Sequence, residues 1–345
     1  MLPLCERGRT LSLRLLAMRG SSTTRAHGAM LLFSALVAGS FSLGHVIAND
    51  ISPAALTAMR FFLAVLVMGV WVGRSGQISR DDLRASWRYF LLGGLMGIYF
   101  VMMFEGLKTA SAVSTAAVFT LTPVISGVFA FFILGQIVTR RVAAALLMGA
   151  LGAVWVIFRA DFNALVALEI GRGEAIYFLG CVAHALYTPL VPKLNRGQSP
   201  VVFTFGMMVA ALLLMSVYAI DDLRKTEFLS LRPMIWVTLV YLAVCASAAS
   251  FFLLQYSALH LPTSKVMAYT YMTPTWVILW EIALGEALPP FGIWIGVILT
   301  MGALGLLLKN ENNNRKNPLL PGGQSRQENE SESGQFLKEF QTDNV

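Results

Sequence analysis

Charge is scarce in this chain. Only 13% of its 345 residues are Asp, Glu, Lys or Arg, against 56% hydrophobic, and the mean hydropathy is +0.66. A soluble domain carries about 25% charged residues. A soluble core of this size needs more polar surface than the chain supplies, so an ordinary soluble enzyme, a disordered chain and a fibrous protein are all excluded. Cysteine is scarce as well. Cys5, Cys181 and Cys245 lie far apart in no metal-ligand spacing, and the last two sit inside apolar runs as small core residues. No metal site is expected. P-loop, Gly-rich nucleotide and HExxH motifs are missing too, so no cofactor is expected. The net charge of +7 comes from basic residues scattered between apolar blocks, which does not favour nucleic acid as a partner.

What is present is a series of apolar runs long enough to cross a bilayer, which takes about 20 residues per helix. Ten can be read: 29–48, 53–73, 87–107, 110–134, 142–158, 174–192, 200–219, 234–256, 263–284 and 289–308. Strand-like alternation is absent, so the expected fold is an all-α membrane protein of ten transmembrane helices. In that path 16 Lys and Arg fall on one side and 6 on the other. The positive-inside rule then puts both termini in the cytoplasm. Residues 1–28 read as a basic cytoplasmic tail. Residues 310–345, rich in Asn, Glu, Ser and Gln, read as a disordered cytoplasmic tail.

The chain repeats itself. Ser52-Pro53 through Thr57 recurs as Ser199-Pro200 through Thr204. Leu121-Thr122-Pro123 recurs as Met272-Thr273-Pro274, Leu134-Gly135-Gln136 as Leu284-Gly285-Glu286, and Gly149-Ala150-Leu151-Gly152 as Gly302-Ala303-Leu304-Gly305. The offset drifts only from 147 to 153, in chain order. The domains are therefore two five-helix halves, 29–158 and 174–308. Five is odd, so the second half starts on the opposite face of the membrane and the repeat has inverted topology, a hallmark of secondary transporters.

On these landmarks, together with Gly39-Ser40 in the first run and Arg60-Phe61 in the second, residues 29–308 resemble the drug/metabolite transporter superfamily, specifically its EamA-type exporters. The resemblance implies a central cavity between the halves, location in the inner membrane and alternating access for small metabolites such as amino acids. Many relatives carry Trp before the Gly-Ser of helix one and at the matching place in helix six; this chain has Ala38 and His184 there.

Ionisable groups inside a bilayer mark functional candidates. His184, near the middle of the sixth run, shares a helical face with Tyr177 and Tyr187; it either binds an anionic substrate or relays a proton, or is a neutral group bonded to a neighbouring helix. Arg60 lies about 10 Å into its helix and either attracts a carboxylate or phosphate or pairs with backbone carbonyls. Tyr99, Tyr269 and Tyr271 are candidates to line a substrate path or to anchor at the interface. Lys265, Glu105 and Glu281 are candidates for gating or proton coupling, with snorkelling and interfacial anchoring as the alternatives; Glu105 is also placed to pair with Lys108. Pro123 and Pro274, beside Thr122 and Thr273, are expected to kink equivalent helices and to leave the carbonyls of Phe119 and Thr270 short of partners. Gly292 and Gly296 form a GxxxG that packs helices closely or joins two copies of the chain in a homodimer.

The partners expected are the lipid bilayer and a small-molecule substrate. A membrane-embedded enzyme acting on lipid is the alternative, resting on His45 and Asp50 in H-x4-D spacing with no supporting motif.

Overall fold

The computed structural model describes residues 3–75, 82, 84–166 and 170–316, with side-chain surroundings from residue 22 to residue 307. The described residues contain helices and no strand. In chain order the helices are α1 (Pro3–Ile47), α2 (Pro53–Ser75), α3 (Trp87–Leu107), α4 (Ala112–Phe119), α5 (Thr122–Leu134), α6 (Arg140–Ile157), the single turn α7 (Phe162–Val166), α8 (Arg172–Leu194), α9 (Pro200–Tyr218), the short α10 (Ile220–Lys225), α11 (Pro233–Ala243), α12 (Ser250–Ala258), α13 (Thr263–Ala268), α14 (Thr273–Ala283) and α15 (Phe291–Lys316). A π-helical turn, Val244–Ala249, joins α11 to α12, and a 3-10 turn, Tyr269–Met272, joins α13 to α14.

Among the described residues, eight stretches are long and apolar enough to cross a membrane, including Ala112–Leu134 across α4 and α5 and Pro233–Ala258 across the π turn. The expected ninth run is helical but divided by the 3-10 turn, and the tenth has a shorter apolar helix, Phe291–Leu307. The ends follow local chemistry. Ser111, Thr139 and Ser199 cap α4, α6 and α9 by accepting from backbone N–H groups of the first turn. Gly135 and Gly285, matched in the repeat, both follow their helices with positive φ, 65° and 90°, where a side chain would be strained.

Helix α1 is described from Pro3, inside the basic N-terminal stretch; no proline interrupts residues 4–52, and an established helix extends cheaply. Helix α15 is described through Lys316. The rest of the C-terminal tail lies outside the described residues.

The packing has an order that the repeat explains. α3, the third run, packs on α8, the sixth; its counterpart is the eighth run on the first, α12 on α1. α5 on α8 corresponds to α14 on α1, and α3 on α9 to α11 on α2. Contacts between α2 and α9 map onto themselves, and those between α4 and α14 onto those between α13 and α5. Exchanging the two halves therefore maps each of these pairings onto another of them.

Loop contacts sort the helix ends into two groups. At one end His45 Nδ1 lies 3.0 Å from the Leu107 carbonyl oxygen, Ser52 Oγ donates to Asp222 at 2.5 Å, and Arg232 pairs with Asp50. At the other, Arg88 Nη1 donates to the Leu194 carbonyl at 2.5 Å, the Thr263 N–H donates to Gln136 Oε1 at 3.2 Å, and Ser257 Oγ donates to the Ala26 carbonyl at 3.1 Å.

Lipid tails are as apolar as leucine, so close backbone packing takes over the role that hydrophobic burial has in water. Gly152 of α6 and Gly296 of α15 face each other so closely that a Cβ on either would sit within 3 Å of the other's carbonyl oxygen. The expected GxxxG face is thus committed inside the chain, and Trp155 Nε1 adds a 2.9 Å bond to the Gly292 carbonyl. A Gly152→Leu substitution should destabilise by roughly 1–3 kcal/mol, since backbone cannot step aside. Gly305→Leu, with nothing within 4 Å of the added Cβ, should not. Thermal melts in detergent check this; equal melting temperatures for the two variants would contradict the packing.

Candidate functional site

The two proline breaks come first, because they shape the middle of the bundle. Pro123 and Pro274 each fall in the first turn of the helix after the break, where a missing N–H costs little. The carbonyls expected to be left short are both satisfied. Thr122 Oγ1 donates to the Phe119 carbonyl at 2.6 Å, and the Thr273 backbone N–H bonds the Thr270 carbonyl. The two breaks adjoin each other, with the Thr122 and Thr270 hydroxyls 3.5 Å apart. Thr273 Oγ1 has no partner.

Next to these breaks lies a buried cluster of rings. His184 of α8 is 2% exposed; its ring centroid is 4.7 Å from that of Tyr99, 5.2 Å from that of Phe119 and 6.2 Å from that of Tyr187. Tyr177 donates its hydroxyl to Tyr99 Oη at 3.1 Å. Tyr187 Oη accepts from Gln255 Nε2 of α12 at 2.9 Å. One face of α8, read from helical spacing, thus meets α3, α4 and α12.

Arg60 of α2 adjoins this cluster through Phe100, whose centroid lies 3.5 Å below the guanidinium carbon, while the Phe100 ring itself is 4.7 Å from that of Tyr99. Arg60 is fully buried. Its Nε donates to Ser247 Oγ and its Nη2 to the Ala246 carbonyl, both in the π turn. A π turn displaces the regular i−4 pairing of carbonyls, and such turns recur at functional sites. No carboxylate among the described residues pairs with Arg60.

Three buried polar atoms of this centre have no partner, Arg60 Nη1, His184 Nδ1 and Gln255 Oε1; the hydroxyls of Ser42, Thr204, Thr238, Thr273 and Thr275 are unpaired as well. In a region without water each such atom costs free energy, and native structures keep few of them. The open central cavity implied by the resemblance is not seen in this conformation: His184 and Arg60 are covered by their neighbours, and none of the four cavities described is lined by them.

The remaining candidates lie elsewhere. Tyr271 donates to the Leu146 carbonyl at 3.2 Å, packing over Gly149. Tyr269 bonds His27, midway along α1, at 2.9 Å. Glu105 pairs with Lys108 at 2.6 Å, as expected from their spacing. Glu281 and Lys265 are half-buried towards opposite ends of the divided α13–α14 segment. His45 and Asp50 do not bond each other: the first faces the Leu107 carbonyl and the second Arg232. Gln255 was missed by sequence reasoning, although a lone amide in the run Phe251–Ala258 is a visible signal. The π turn had no signal at all. Arg88, counted as a loop charge, is buried and caps the end of α8.

If the buried imidazole is an uncompensated polar group, His184→Phe should raise the melting temperature, because a ring of similar shape fits the aromatic cluster without an orphaned nitrogen. A lower melting temperature would show that the imidazole is structurally required.

The EamA-like transporter family model matches this chain twice, over residues 24–158 and 171–309. An uncharacterised transporter of Bacillus subtilis, YyaM, is 23% identical over 277 residues, which cover 80% of this chain and 91% of that protein. A protein of Ancylobacter novellus named aromatic amino acid exporter YddG is 28% identical over 196 residues, 56% of this chain and 66% of that protein. A solved crystal structure aligns with a TM-score of 0.62 at 22% identity, covering 84% of this chain and 96% of that one, which shows a shared fold. With two family repeats spanning most of its apolar helices, the chain belongs to the EamA-like transporter family and is a multi-pass membrane protein.

Proposed function

We propose that the chain is a ten-pass secondary carrier of the inner membrane, with both termini cytoplasmic, that exports a small metabolite such as an amino acid or related organic compound. The halves 29–158 and 174–308 are its two moving bodies, related by inverted topology, and alternating access is its mechanism.

The observation that carries this reading is the buried ring cluster between the two repeats, with polar atoms of α2, α8 and α12 left unpaired beside it. A polar solute entering between the halves would supply the missing partners. The packing supports it: the main contacts between the halves come in exchange-related pairs, which suits a machine whose inward and outward states are the two halves with their roles swapped. The paired breaks at Thr122-Pro123 and Thr273-Pro274 meet at the same level and serve as the hinges. The name of the Ancylobacter relative, an aromatic amino acid exporter, fits a site walled by Tyr99, Phe119, Tyr177 and Tyr187. Glu105 serves as an anchor through Lys108, which leaves Glu281 and Lys265 as the coupling candidates. Nothing in the geometry favours the enzyme reading, since His45 and Asp50 are engaged apart.

Comparing metabolites in medium and cells, with the protein deleted and overproduced, identifies the solute; it should build up in the medium on overproduction. Flux of that solute into proteoliposomes then tests the site. His184→Ala and His184→Phe should change affinity or pH dependence; no change in either variant rejects His184 as a lining residue.

A further inference from the structure

The repeat gives an internal control for Arg60. Its counterpart in the second half, at the offset of 147 set by Ser52 and Ser199, is Met207. The two positions occupy equivalent crossings: α2 against the eighth run, and α9 against the third. At the second crossing a Cβ on Gly93 would come within 3 Å of the Met207 carbonyl and of the Ala211 nitrogen, so backbone meets backbone and no charge is present. Helix α3 is regular throughout. At the first crossing the same architecture holds a buried guanidinium, and the facing helix is opened into the π turn that receives it. The crossing is therefore buildable without a cation, and one half builds it that way. The arginine and the π turn are an addition.

The addition is also incomplete. A guanidinium carries five N–H donors, always charged, and Arg60 uses only its Nε and Nη2 edge. Nη1 is buried and bonded to nothing. Holding such a group in hydrocarbon is costly. The π turn contributes neutral oxygens only, and Phe100 covers one face of the plane.

We infer that Arg60, fixed by the Ala246 carbonyl and the Ser247 hydroxyl, is the subsite for a carboxylate on the transported solute, received at Nη1. This rests on the transport reading and names the substrate class: compounds with one carboxylate, next to an aromatic or apolar body that fits against the rings of Tyr99 and Phe100. One cation with one free edge matches a monoanion; a phosphate dianion would bring a second charge with nothing to meet it.

The test uses the full chain in nanodiscs of neutral phosphatidylcholine, with benzoate as probe and benzylamine and phenyl phosphate as comparisons, read by the shift in melting temperature with concentration. Benzoate should bind and benzylamine should not. Arg60→Met, which installs the residue found at the equivalent crossing, should weaken benzoate binding roughly 10- to 100-fold, the range of a lost charged hydrogen bond. Arg60→Lys should fall between, and Ser247→Ala should weaken binding by less. Equal benzoate affinity in wild type and Arg60→Met overturns the proposal, as does binding of benzylamine or phenyl phosphate at least as tight as benzoate. If Arg60→Met does not fold, unchanged affinity in both Arg60→Lys and Ser247→Ala overturns it. A repeat in phosphatidylglycerol nanodiscs separates the sources of anion: if anionic lipid alone shifts the wild-type melt and abolishes the benzoate effect, the occupant is a headgroup and the solute subsite is rejected. Binding without any exported metabolite would defeat the transport reading and leave the subsite standing; an exported metabolite with no Arg60-dependent binding would do the reverse.

Discussion

Hydrocarbon offers no hydrogen bonds, so every interruption of a helix in this bundle has to be repaired by the protein itself. That constraint accounts for most of the specific contacts. Thr122 repairs the break before Pro123 with a hydroxyl, and Thr273 the break before Pro274 with its own N–H. Tyr241 and Tyr271 of the second half act alike: each lies over a glycine of the first half, Gly39 or Gly149, and donates to the carbonyl three residues before that glycine, Leu36 or Leu146. Arg88 closes the end of α8. The glycines let backbones approach until these short reaches are satisfied, and the helix order follows from which faces carry them.

Against that background the unrepaired atoms stand out. Three of them, Arg60 Nη1, His184 Nδ1 and Gln255 Oε1, belong to groups packed around the rings of Tyr99, Phe100 and Tyr187, between the two repeats; the others are hydroxyls of Ser42, Thr204, Thr238, Thr273 and Thr275. Exposed charges are paired instead, as with Lys108 and Glu105 or Arg232 and Asp50. An imidazole, an amide and a guanidinium left open at one place offer partners to a polar group that enters there. The same reasoning separates Arg60 from Arg88. Both are buried, but Arg88 closes a helix end with carbonyls to spare, whereas Arg60 keeps one edge open.

Much of this was legible in the sequence. Apolar run length located most of the helix ends to within a few residues, the start of α1 and the end of α15 excepted, because the bilayer sets that length. The repeat landmarks were legible because turns and caps need particular residues: Ser-Pro opens α9 and Leu-Gly closes α5 at a left-handed residue that only glycine adopts without strain. Helical spacing on α8 correctly joined Tyr177, His184 and Tyr187. Tyr269 and Tyr271 fall in the 3-10 turn between α13 and α14, which no spacing rule marks, and bond His27 and the Leu146 carbonyl. The π turn was illegible for a different reason. Val244–Ala249 is an ordinary run of small residues, and the guanidinium it receives comes from a helix distant in sequence.

The central claim is that the two halves open and close opposite ends in turn. Spin-label distances measured in one lipid preparation test it most directly, with the three native cysteines replaced. One pair, at Asn49 and Glu227, spans the end closed by Asp50, Arg232 and Asp222; the other, at Ile137 and His260, spans the end where Thr263 meets Gln136. The account predicts that the two distance distributions move oppositely when solute or pH shifts the conformational balance, one end widening as the other narrows. Distances that stay fixed at both ends, or widen together, would contradict it.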